Sequence, residues 1–137
     1  MEQPLAPQHA GMAKRSSIVR TGRLLYAVLA WIFLFCIVAQ AFIAGLAVFA
    51  GADNWALHTS FVRAFALLPL ILFLLTFVGD IRGGQRWLAL GLFACIVLQF
   101  VTATALSSVP AMAALHPVVA LLLFWGSLRS VTRLNRP

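Results

Sequence analysis

LLYAVLAWIFLFCIVAQAFIAGLAVF, Leu24 to Phe49, is an uncharged run whose most polar side chain is Gln40. At 1.5 Å per residue a helix of this length covers about 39 Å, more than the roughly 30 Å hydrocarbon core of a bilayer. A secretory signal has a much shorter apolar stretch, so the run reads as part of the mature fold. Three further apolar segments follow: His58–Val78, Trp87–Leu106 and His116–Leu128. The 137-residue chain is 63% hydrophobic and 9% charged, with mean hydropathy +1.00. A soluble domain of this size cannot hide so much apolar surface. A bare backbone finds no hydrogen-bond partner in lipid, so the runs predict helices. The expected fold is an all-α integral membrane four-helix bundle, with spans at about 24–50, 57–79, 87–107 and 112–130. Residues 1–20 read as a mobile basic tail, 21–130 as the transmembrane domain and 131–137 as a basic C-terminal tail.

Charge orients the spans. Lys14, Arg15, Arg20 and Arg23 precede the first, Arg82 and Arg86 lie between the second and third, and Arg129, Arg133 and Arg136 follow the fourth. The two remaining loops, Gly51–Leu57 and Ser107–Leu115, contain no Lys or Arg. Basic residues favour the cytoplasmic side, which predicts a plasma (inner) membrane protein with both termini inside. The net charge of +7 follows from this distribution. A nucleic-acid-binding domain would gather its charge on a separate basic face, so no nucleic-acid partner is expected.

The first run carries the word CIVAQ, Cys36 to Gln40, and the third carries CIVLQ, Cys95 to Gln99. Downstream of each comes ALH: Ala56, Leu57, His58 and then Ala114, Leu115, His116. Matched words in one order and at nearly one spacing read as a duplicated helical hairpin. Each copy starts inside, crosses and returns, so the copies are parallel repeats. In an up-down-up-down bundle the second and fourth helices are diagonal partners. His58 and His116 then stand at matching depths near the outer face, able to share one central space.

Two histidines on opposed helices suit a planar cofactor whose iron takes an axial imidazole from each side. They are the candidate ligands of a b-type haem. Arg63 is the only charged residue well inside a span. It is expected to face a cavity and to pair with a haem propionate, although snorkelling to the outer interface is open to it. Gln40 and Gln99 read as hydrogen-bonding glue between helices, with cofactor lining as the alternative. Cys36 and Cys95 lie one turn away on the same faces and read as packing residues, with no disulfide. Trp55 and Trp87 read as interface anchors, and Thr102 and Thr104 as side chains that bond backbone carbonyls. His9 and Met112 carry no assigned role. No Ser-His-Asp set, phosphate loop, Cys-x-x-Cys pair or paired carboxylate is present, which leaves enzymatic activity open.

The order is a Gln-bearing helix, a short outer loop with Trp, a His-led helix, a basic inner loop, a second Gln-bearing helix and ALHPVVALLLF (Ala114–Phe124). It resembles one half of the haem A synthase family, over about residues 24–128, and is similar to small four-helix bacterial membrane families. The resemblance implies a four-helix bundle with His58 and His116 as haem ligands at its outer face. The expected function is haem b binding for electron transfer or haem handling, with a membrane redox partner and a homodimer as candidate associations. The alternatives are a cofactor-free accessory subunit of a larger membrane complex and a small transporter. The transporter is disfavoured because no span contains an acid.

Overall fold

A computed structural model describes the backbone of residues 6–134, with side chains from residue 12 onward except 13 and 134. Six helices are present: α1 Ala6–Phe49, α2 Asn54–Phe65, α3 Leu68–Val78, α4 Gly84–Ala103, α5 Pro110–Ala113 and α6 Leu115–Leu134. Four stretches are long and apolar enough to cross a membrane: Lys14–Phe49, Asn54–Val78, Gly84–Ala103 and Pro110–Arg133. The chain is thus an all-α, multi-pass membrane bundle. α1 packs on α2, α3 and α6, and α4 packs on α3 and α6. This order places the second span diagonally across from the fourth.

The helix ends differ from the sequence expectation where polar residues continue a helix beyond its apolar part. α1 begins at Ala6, so residues 6–20 are helical rather than a mobile tail. Nothing from Met12 to Arg23 opposes that extension except Gly22, which a close contact explains. α6 continues to Leu134 with Val131 fully buried, so the C-terminal tail expected from residue 131 is helical at its start. Residues 1–5 and 135–137 of the two expected tails lie outside the described residues. The third span ends at Ala103, and turns occupy the outer loop before α5. The second span is split at Ala66–Leu67 because Pro69, in the first turn of α3, has no N–H to continue the ladder and crowds the carbonyl four residues back.

The seam of the bundle has a heptad rhythm. In α4 the buried positions are Gln85, Ala89, Leu92, Ile96 and Gln99, alternating steps of four and three. Phe65, Pro69, Leu72 and Thr76 repeat it in the second span. That spacing gives near-parallel helices with interlocking side chains. Phe33, Leu34, Ile37, Leu72, Leu92, Ile96 and Leu123 fill the middle of the bundle. In lipid such a core holds by close van der Waals contact rather than by escape from water.

Polar layers close the seam at both ends. At the end that carries Arg23, Arg82 and Arg129, labelled inner after the expected orientation, Tyr26 Oη lies 2.9 Å from Ser130 Oγ. Gln85 Nε2 donates to the Ser130 carbonyl at 2.8 Å and lies 3.1 Å from Tyr26 Oη. This network ties α1, α4 and α6 together. Next to it Gly22 meets Gly79 so closely that a Cβ on Gly22 would stand 2.8 Å from the Gly79 nitrogen. The approach lets Arg23 Nε donate to the Gly79 carbonyl at 2.9 Å. Arg86 over Phe77 and Arg129 over Trp125 add cation–π contacts at this end.

Candidate functional site

The outer polar layer holds the two sequence-selected histidines. His58 is in the second turn of α2 and His116 is the second residue of α6. Pro117 follows His116 within the first turn, where the missing N–H has no helical carbonyl to meet. Both imidazoles turn inward and are half-buried, with ring centroids 6.5 Å apart and planes inclined at 55°. Trp55 presents an edge-on contact to His58 at 5.5 Å.

The two glutamines each engage the histidine of their own hairpin, in opposite directions. Gln40 Nε2 donates to the His58 backbone carbonyl at 2.9 Å. In the second hairpin the imidazole reaches back, and His116 Nδ1 lies 3.2 Å from the Gln99 backbone carbonyl. A carbonyl only accepts, so this contact calls for a proton on Nδ1, the tautomer whose lone pair is on Nε2. Thr102 Oγ1, 3.3 Å from the same Nδ1, can accept as well, because its own proton goes to the Leu98 carbonyl at 2.9 Å. A ring held this way is oriented as metal-binding histidines are, with the second nitrogen anchored to a carbonyl.

Three polar atoms in this layer are buried without a partner: Gln40 Oε1, Gln99 Oε1 and His58 Nδ1. The two carboxamide oxygens accept only. Orphaned polar atoms are costly in an apolar surround, so the layer is not closed upon itself. Among the described residues no group of three or more His, Cys, Asp or Glu side chains converges as a metal cage. The pair of imidazoles is therefore the ligand set that this layer offers.

Geometry tests whether that pair suits a haem. A metal–imidazole bond is about 2 Å and the nitrogen lies about 1.1 Å from its ring centre, which sets two axial imidazoles about 6.2 Å apart between centres. The observed separation of ring centres, 6.5 Å, is close to that value. An inclination of 55° also fits, since axial rings rotate freely about their common axis. The propionate partner does not fit. Arg63 is exposed on the outward face of α2, away from the imidazoles, and among the described residues it has no ion-pair partner. Helical geometry explains the correction: five residues at 100° each put Arg63 about 140° around the helix from His58. The other described basic residues, from Lys14 to Arg133, lie toward the opposite end of the spans, so among the described residues no other Lys or Arg stands in this layer.

The remaining sequence candidates fall as follows. Cys36 and Cys95 are free thiols packed against the core. Trp55 and Trp87 are exposed. Thr102 and Thr104 bond backbone carbonyls one turn back. His9 lies outside the described side chains. The inner network of Tyr26, Gln85 and Ser130 was not visible from the repeat. The signal that could have found it is the heptad spacing of Gln85 and Gln99, which puts both on the buried stripe of α4.

Residues 40–105 match the profile of a family of unknown function (DUF6220). The match covers just under half of the chain and takes in Gln40, His58, Arg63 and Gln99 but not His116. No curated protein and no solved structure matches the chain.

Proposed function

We propose that this bundle binds haem b at its outer end, with His58 and His116 as the two axial ligands, and that it serves electron transfer or haem handling. The observation that carries the reading is the pair of inward imidazoles 6.5 Å apart on diagonal helices. The anchored His116 ring supports it. Bound haem would supply a one-electron couple there. The chain's own part is to hold His116 stiffly, to admit His58 from the opposite wall and to exclude water from the core below. The resemblance to one half of the haem A synthase family supports the same two residues. That family joins two such bundles and follows a ligand histidine with Arg. This chain has one bundle, and Thr59 follows His58. The reading therefore stops at haem binding and does not extend to haem A synthesis.

The distribution of basic residues supports a plasma (inner) membrane location with both termini in the cytoplasm and the haem on the opposite side. The test is the visible spectrum of protein purified in detergent from haem-replete cells. The expected result is a Soret band that shifts on reduction and is lost in His58→Ala and in His116→Ala. Colourless protein, or a band untouched by both substitutions, overturns the proposal. A second reading, an accessory subunit of a larger complex, is favoured by the outward Arg63 and calls on a different face of the molecule.

A further inference from the structure

The internal repeat provides a comparison within one chain. A shift of fifty-eight residues lays His58 on His116. It also lays Ser60, Arg63 and Ala64 on Val118, Leu121 and Leu122. On α6 those three are large, apolar and 51%, 69% and 52% exposed, which is a surface made for lipid tails. On α2 the corresponding residues are also exposed, but they are small or charged. Ala56, Ser60 and Ala64 recur every four residues along one line, with Thr59 and Arg63 beside them. Small residues at that spacing let a second helix come close, and hydroxyls and charges bond across such a contact.

We infer that the outward face of α2, formed by Ala56, Thr59, Ser60, Arg63 and Ala64, docks a transmembrane helix of another protein that carries a carboxylate at the depth of Arg63. Charge complementarity selects the occupant. An intramembrane arginine calls for an anion. Among the described residues the chain's own acids are Asp53 and Asp80, and neither lies in a span. Asp53 is ten residues before Arg63, about 15 Å away along the helix axis, so a second copy cannot present it at the right level. A twofold contact through this face would instead bring Arg63 against Arg63. Lipid phosphate is also too far. Arg63 lies eight residues below Trp55, about 12 Å into the membrane, while the five bonds from Cα to the guanidinium carbon reach about 6 Å. The site uses none of the haem-proposal residues and stands or falls separately.

The experiment places a photoreactive amino acid at Ser60, or at Val118 as the control face, in the full-length protein in its native membrane. Adducts are identified by mass spectrometry. The expected result is one discrete adduct from Ser60, absent from Val118, whose crosslinked helix contains Asp or Glu. Arg63→Leu should reduce it at least tenfold, Arg63→Lys should retain it, and exchanging the charges (Arg63→Asp with the partner's acid changed to Arg) should restore it. Arg63→Leu makes the face resemble its α6 counterpart, so an unchanged melting temperature of the purified variant shows that folding is intact. Adducts to lipid alone, to a second copy of this chain, or to a helix without an acid overturn the inference, as does an adduct indifferent to Arg63→Leu.

Discussion

Tyr26 is fully buried, and its hydroxyl meets Ser130 and Gln85. Hydrogen bonds between helices in membranes contribute about 0.6 kcal/mol on average and up to about 1.7 kcal/mol. Tyr26→Phe keeps the ring and removes the hydroxyl, so the bundle should lose about 1 kcal/mol in a denaturing-detergent unfolding titration. Gln85 retains its bond to the Ser130 carbonyl in that variant, which limits the loss. At this scale the histidines were legible from sequence because a repeated word marked each of them. Tyr26, Gln85 and Ser130 were not, since each comes from a different helix and no word repeats them. Arg63 was legible in type but not in direction. Its separation from His58 measures depth along the helix and also rotation around it, and rotation decides whether it faces the site.

Helices α1 and α3 meet at the pair Gly22 and Gly79, backbone against backbone. A side chain at residue 22 would strike main-chain atoms that cannot step aside. Gly22→Val should therefore destabilise the bundle by about 1–3 kcal/mol in the same titration, the usual range for overpacking. It should also weaken the Arg23 bond to the Gly79 carbonyl, which the close approach permits. The spans themselves could be read from apolar length alone, because lipid admits little besides helix. Their ends could not, because a helix leaving the membrane needs no apolar residues to continue. The split at Pro69 went unread because the apolar run continues through it, and its effect is local: α2 and α3 together remain one candidate span.

The whole molecule presents a strongly basic inner end with one acid in its loop. Asp80 accepts a 2.7 Å bond from Arg82 Nε, and that bond holds its carboxyl below the usual carboxylate range. Desolvation is the next largest influence and opposes that bond, while the charges of Arg82, Arg15 and Arg23 act with it. A carboxyl with a lowered folded-state pKa adds stability above the unfolded value, near 3.9, and loses it as pH falls through the folded value. Wild type should then melt slightly above Asp80→Asn at neutral pH, and the two curves should begin to converge below about pH 4 and merge below the folded value. Asp80 has a positive φ of 48°, which Asn tolerates equally, so the substitution isolates the charge. The pair is exposed and the effect small.

The dry middle of the bundle also has an electrical meaning. From Tyr26 to Gln40 the seam of α1 runs about 21 Å, and the side chains that fill it are apolar. Among the described residues the buried hydroxyls of Thr76 and Ser127 bond carbonyls of their own helices. In a bilayer, moving one elementary charge through a potential of 100 mV costs about 2.3 kcal/mol, and an apolar seam offers such a charge no partner. The histidine layer and the Tyr26 layer are thus two separate polar environments within one bundle, insulated from each other by the packed core.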